Sequence, residues 1–160
     1  MKIGIIIIFH NNELDIDKSF FIDQIKSSEH IELCLVDNES KDETISFLED
    51  IKEVCPTKVS VIEIKRNVSE IAATKAGARY MFNEFNLKHI GYINANALKQ
   101  KGLTLNTLIK SFCIHKDLII DFNLNKIKNQ EIKKTFFKSV FSVVEYLQNI
   151  ETSPQVIPMT

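Results

Sequence analysis

The sequence predicts an α/β domain: a three-layer sandwich around a mostly parallel β-sheet with helices on both faces. Three observations carry this expectation. The apolar, β-branched runs are continuous rather than alternating, as in strands buried on both sides. They recur between segments whose apolar residues return at helical spacing, the pattern of repeated strand–helix units. The residues that close the runs are polar, and none forms a Gly-rich phosphate loop.

Ile3 to Phe9 is the first such run. Asp17 to Ser27 follows, with Phe20, Phe21 and Ile25 spaced along one helical face. Ile31 to Val36 reads as a second buried strand, closed by the polar turn Asp37-Asn38-Glu39-Ser40-Lys41-Asp42. Asp42 is the expected N-cap of a helix to about Val54, with Ile45, Leu48 and Ile51 or Val54 inward, ended by Pro56. Val59 to Ile64 is a third strand. Ser69 caps an Ala-rich helix from Glu70 to Phe85, and His89 to Ile93 is a fourth strand. Leu103 to Ile114 reads as a helix, and Leu118 to Phe122 as a short edge strand for which an antiparallel setting is allowed. Gln130 to Ile150 reads as an amphipathic helix with Phe136, Phe137, Val140, Phe141, Val144 and Leu147 on one side.

A chain of 160 residues is the size of one domain. Its composition, 44% hydrophobic and 26% charged, is that of an ordinary globular protein. The net charge of −1 gives no field that would gather nucleic acid, so no nucleic-acid partner is expected. The charge is uneven: residues 97–160 carry net +4 and residues 1–96 net −5, which reads as a solvated basic face on an acidic body. Cys34, Cys55 and Cys113 stand at no metal-ligand spacing, and Cys34 reads as a buried thiol. The expectation is a reducing, cytoplasmic setting, with the inner face of the membrane as the alternative. The apolar start to Phe9 is too short to span a bilayer, and no small-residue cleavage site follows it.

In open parallel sheets, ligands bind beyond the carboxyl ends of the strands. Those ends are His10-Asn11-Asn12-Glu13, Asp37-Asn38-Glu39-Ser40, Arg66-Asn67 and Asn94-Ala95-Asn96. Taken in order, they resemble family 2 glycosyltransferases, which have the GT-A fold of nucleotide-diphosphosugar transferases. The family's strand-two turn, Val-Asp-Asp-Gly-Ser-x-Asp-Gly-Thr, is matched by Val36-Asp37-Asn38-Glu39-Ser40-Lys41-Asp42-Glu43-Thr44. Its Asn-x-Gly-x-x-x-Ala-Arg-Asn-x-Gly helix start is matched by Asn67 to Gly77, and its Asp-x-Asp motif by Asn94-Ala95-Asn96. The resemblance covers residues 1–97, the nucleotide-sugar-binding-like core. It leaves 98–150 as a reduced C-terminal part ending in an amphipathic helix, and 151–160 as a flexible tail.

The resemblance implies a nucleoside diphosphate sugar as donor and a cell-envelope glycan as acceptor. It carries nucleotide or substrate binding onto His10, Asn11, Glu13, Asp37, Asn38, Arg66, Thr74, Asn94 and Asn96. Departures from the pattern alter the chemistry. The family's second aspartate is Asn38, its arginine is Thr74, and its metal-binding pair is Asn94 and Asn96. Amides offer oxygen without charge, whereas Mg²⁺ is held by carboxylates and phosphates. No cofactor is therefore expected, a divalent Mg²⁺ or Mn²⁺ is disfavoured, and no residue is assigned to a metal. Two residues apart at a strand end, Asn94 and Asn96 should point the same way. Arg66, Lys75, Lys99 and Lys101 are the cations near in sequence that could offset diphosphate charge. An inverting transfer also needs a general base, and Asp121 is the nominated carboxylate.

Two functions follow. One is sugar transfer without a metal. The other is a catalytically inactive glycosyltransferase-like binding or scaffold domain, self-associating or pairing with an active glycosyltransferase through the 130–150 helix. That helix could also lie on a membrane or pack on the domain's own sheet.

Overall fold

The computed structural model describes residues 2–87, 89–129 and 140–152. All four expected strands form: β1 (Ile3–Phe9), β2 (Ile31–Asn38), β3 (Val59–Ile64) and β4 (His89–Asn94). A fifth, β5 (Val140–Ser142), joins them. The helices are α1 (Lys18–Ser27), α2 (Thr44–Val54), α3 (Glu70–Glu84), α4 (Ala95–Gln100), α5 (Leu105–Asn129) and α6 (Val143–Thr152). The sheet order is β3-β2-β1-β4-β5, and every neighbouring pair is parallel.

Alternation along the strands divides the core into two layers. Ile3, Ile5, Ile7 and Phe9 face one side with Leu33 and Leu35, under α1, α2, α5 and α6. Ile6, Ile8, Cys34 and Val36 face the other, under Ala73, Ala78 and Met81 of α3. The chain leaves β1 toward β3 with α1 and α2 on one face. It returns to β4 through α3 on the opposite face, as right-handed crossovers require when the direction of growth reverses. Gly77 allows the close approach of α3, since a Cβ there would stand 2.8 Å from Ile6 Cγ2. Burial raises the Cys34 thiol pKa to about 12, which fits an inert core residue.

The loosely patterned half differs from expectation. Leu118 to Phe122 is not an edge strand but part of the long helix α5. Leu108, Phe112, Ile119 and Ile120 point inward at helical spacing while Leu118 is 41% exposed. A short apolar run does not by itself distinguish strand from helix. The expected 130–150 helix is also corrected: 130–139 lie outside the described residues, Val140–Ser142 pair with β4, and the helix begins only at Val143. Ser142 marks that start, its Oγ accepting from Glu145 N at 3.4 Å. The apolar face of α6, with Val143, Tyr146 and Leu147 buried, packs on the domain itself and is not open to a partner or membrane. Of the 151–160 tail, residues 151–152 close α6 and the remainder lies outside the described residues.

Smaller differences have local causes. α2 starts at Thr44 rather than directly after Asp42, because Asp42 Oδ1 accepts from both Thr44 N (3.0 Å) and Thr44 Oγ1 (2.6 Å). Its inward face is Thr44, Leu48 and Ile51, and Val54 is 48% exposed. A buried polar triad joins the far end of the sheet to two helices. Asn123 of α5 donates to His89 Nδ1 at 2.6 Å, and Tyr146 of α6 donates to Asn123 Oδ1 at 2.8 Å.

Candidate functional site

The order β3-β2-β1-β4 makes β1 and β4 the topological switch point, where successive crossovers leave for opposite faces. Their carboxyl ends, with that of β2 beside them, define the candidate site. Phe9 is in register with Asp37, and Ile8 with Asn94.

The β1 end is held by its own polar side chains. Asn11 has a positive φ of 54°, a conformation Asn tolerates better than most residues. Its backbone N donates to Ser40 Oγ and its Oδ1 accepts from Lys41 N at 2.7 Å. Glu13 N donates to Asp42 Oδ2, and Glu13 Oε2 accepts from Glu43 N. His10 Nδ1 lies 2.6 Å from the Asn38 carbonyl oxygen. A carbonyl only accepts, so Nδ1 carries a proton, while Nε2 faces the Asn11 side-chain amide, whose Nδ2 lies at 3.3 Å.

The β2 end carries the most unusual carboxylate. Asp37 is 1% exposed, and its Oδ1 has no hydrogen-bond partner. Its Oδ2 is 3.5 Å from Ser40 N. Burial first, and then the charges of Glu63 and Asp42, push its pKa above the usual carboxylate value. Asn38 does different work. Its Nδ2 donates to Val68 O at 2.8 Å and its Oδ1 accepts from Val68 N at 3.0 Å, so the amide clamps the loop after β3. Glu39 stands where the resembling motif has glycine and keeps the left-handed backbone, φ 51°. Its Oε2 accepts from Asn67 N at 2.7 Å, a bond that lowers its pKa.

Asn94 and Asn96 do not point the same way. β4 ends at Asn94, and Ala95–Gln100 is helical, so the two residues are not on one extended strand. Asn94 is the N-cap of α4, its Oδ1 accepting from Asn96 N and Ala97 N, and its Nδ2 donates to Glu70 Oε2 at 2.7 Å. Asn96 turns to β1 instead. Its Nδ2 donates to the His10 carbonyl at 2.9 Å, and its Oδ1 accepts from Asn12 Nδ2 at 2.7 Å. Both amide oxygens already accept N–H groups. Among the described residues no three His, Cys, Asp or Glu side chains stand close enough together to hold a metal ion. The residues at the family's metal position, as placed, do not fit a divalent cation.

Beside Asn94 opens a pocket of about 150 Å³, lined in part by Glu70, Tyr92, Lys101, Ser142 and Glu145. That is below the ~300–1,000 Å³ of whole ligand sites, so it accommodates one portion of a larger molecule. Burial, then the Glu70 and Glu145 charges, raises the Tyr92 phenol pKa, which places both carboxylates within electrostatic reach of it. Lys101 is the cation of this pocket. Lys99 instead pairs with Asp15 at 2.6 Å.

The strand ends thus gather His10, Asn11, Glu13, Asp37, Asn38, Asn94 and Asn96. Arg66 is exposed just beyond β3. Thr74 lies one turn into α3, its hydroxyl donating to the Glu70 carbonyl. Asp121 is not brought to the rim. It sits exposed on α5 two residues before Asn123, which bonds the first residue of β4 at the opposite end of the sheet. Glu70, Tyr92 and Glu145 were not anticipated. Glu145 could have been found only by recognising that Val140–Ser142 is a strand, since it then follows a strand end like every other rim residue.

Among solved structures, the chain is similar to S. aureus TarS 1-349 in complex with UDP, at 16% identity and TM-score 0.48 over 64% of this chain and 31% of that one. It is also similar to the mannosyltransferase PcManGT from Pyrobaculum calidifontis in complex with GDP-Man and Mn2+, at 18% identity and TM-score 0.41 over 50% of this chain and 24% of that one. The chain thus spans under a third of either protein. No curated protein matches it. Residues 4–143 match the model of the family described as Glycosyl transferase family 2. With 4–143 of its 160 residues accounted for, the chain belongs to glycosyl transferase family 2.

Proposed function

We propose that this domain binds a nucleoside diphosphate sugar across the β2–β1–β4 rim and transfers the sugar to a glycan hydroxyl without a divalent metal. The observation that carries the reading is Asp37. A carboxylate oxygen that is buried and unpartnered is costly unless something donates to it. The N–H edge of a nucleobase is such a donor once the strand end opens to admit it, and His10, at the end of the neighbouring strand, offers a ring face. The diphosphate would then lie along Asn94, with Lys101 offsetting its charge. Glu145, across the same pocket, replaces Asp121 as the proposed general base: a carboxylate there can take the proton of an acceptor hydroxyl.

One observation favours the second reading, a domain that binds but does not transfer. The amides at the metal position are engaged in capping α4 and joining β4 to β1. Calorimetric titration with UDP and GDP, with and without Mn²⁺, tests the shared claim of binding. Release of nucleoside diphosphate from the sugar donor separates the two readings. Binding that appears only with Mn²⁺, or none with either nucleotide, would sink the proposal.

A further inference from the structure

We propose that the outer face of α5 is a two-fold docking surface for a second copy of this chain. α5 packs inward through Leu108, Phe112, Ile119 and Ile120, and the opposite side carries apolar groups into solvent. Ile114 is 67% exposed and Leu118 41%. Lys110 and Asp121 lie on the same stripe, because at about 100° per residue Lys110, Ile114, Leu118 and Asp121 fall within an arc of about 80°. Both charged residues are exposed, and neither has an ion-pair partner among the described residues.

The spacing is self-complementary. An interface with two-fold symmetry matches residue i with residue j and j with i. Two antiparallel α5 helices that place Ile114 on Leu118 have their axis level with residue 116. The same axis brings Lys110 within one residue, about 1.5 Å along the helix, of standing opposite Asp121. One docking therefore covers the apolar pair and sets Lys110 near Asp121 twice, while the two copies of Asp117 approach across the axis and weaken the contact. A membrane is a poorer occupant, since Asp117 and Asp121 on this face would repel anionic lipid. The stripe is narrow, so the dimer should be weak, with a dissociation constant on the order of 10–100 μM.

Sedimentation velocity on the whole chain, from about 1 μM to about 1 mM, reads the result. The unmodified protein should pass from monomer to dimer over that range. Ile114→Asp should remain monomeric. Lys110→Glu and Asp121→Lys should each weaken the dimer about tenfold, because each reversal acts at two symmetric contacts. Combining the two should restore affinity to within about threefold. These exposed positions carry no core contact, and an unchanged thermal melt shows that each variant folds. A chain that stays monomeric throughout, or a dimer indifferent to all these changes, overturns the proposal.

Discussion

Asn96 donates from Nδ2 to the carbonyl oxygen of His10 at 2.9 Å, tying the segment after β4 to the end of β1 across the switch point of the sheet. The same amide accepts from Asn12. Asn96→Ala leaves the His10 carbonyl and the Asn12 amide short of a partner in partly buried surroundings. That should cost about 1–3 kcal/mol. A thermal melt should fall by about 3–10 °C for a domain of this size. A melt unchanged within 1 °C of the original, where about 2–4 °C per kcal/mol is expected, would mean the bond is not a fastening.

Asp37 should trade stability for binding. Its folded-state pKa is raised above the unfolded value, so the native state binds protons more readily than the unfolded chain. The burdened form is the carboxylate, and the burden is full above the raised pKa. It lessens as pH falls through that pKa toward the ordinary aspartate value of 3.8, below which both states are protonated. Asp37→Asn should therefore be more stable than the original at pH 7, with the advantage shrinking on acidification. Nucleoside diphosphate affinity should drop about tenfold, roughly 1.4 kcal/mol. Denaturant titrations at several pH values together with calorimetry check both halves. A variant that is destabilised at neutral pH would refute the burial argument.

Glu145 and Asp121 offer a direct contrast. If Glu145 takes the acceptor proton, Glu145→Gln should lower kcat about 10²–10⁴-fold while nucleotide affinity stays level. Asp121→Asn, at the other end of the sheet, should leave turnover as it was. Steady-state kinetics with the donor sugar distinguish them, and the reverse pattern would return the role to Asp121.

The sequence reveals the parts of this molecule that depend on neighbours along the chain. Ile3–Phe9 announces a doubly buried strand because each of its residues is apolar, and β2 and β4 follow from similar runs, whereas β3 is read from alternating Val59, Val61, Ile62 and Ile64 with Glu63 exposed. β5 has only three residues and runs directly into α6, so its Val140 and Phe141 merge into the helical periodicity that follows. At the site, Asp37 and Asn94 were visible because a motif numbers them. The bond from Asn94 to Glu70 joins residues 24 apart, and the placement of Glu145 depends on where α6 begins. Neither is a property of local sequence. Asn38 is a partial success, since it reaches the rim but its amide holds Val68.

The buried triad of His89, Asn123 and Tyr146 should be worth more than its small size suggests, because it locks α5 and α6 onto β4. Tyr146→Phe keeps the ring stacked on Phe141, 4.3 Å between centroids, and removes the donor to Asn123. A loss of about 1–3 kcal/mol is expected. Burial and then Glu145 raise the Tyr146 pKa to about 12, so the hydroxyl stays a donor across the ordinary pH range. The loss should therefore be the same at pH 6 and pH 9. A marked difference between those two measurements would show that another group governs the contact.

The strongest chemical expectation concerns the metal. In the unmodified protein, Asn94 Nδ2 donates to Glu70 Oε2, and Asn96 Nδ2 to the His10 carbonyl. Restoring aspartate at both positions turns each donor into a carboxylate facing an acceptor. Asn94→Asp combined with Asn96→Asp should thus be destabilised in chelator, by more than the loss of two hydrogen bonds alone, since the new charges repel Glu70 and the carbonyl. A cation between the new carboxylate at position 94 and Glu70 would reverse the repulsion there, because a hard divalent ion takes oxygen ligands of this kind. Mn²⁺ should raise the melting temperature of the double variant and tighten its nucleoside diphosphate binding, while leaving the unmodified protein unmoved in both assays. The comparison isolates the two positions, since every other rim residue is common to both proteins. A tenfold gain in diphosphate affinity on adding Mn²⁺ to the unmodified protein, about 1.4 kcal/mol, would show that its amides give up their internal partners to ligate the ion.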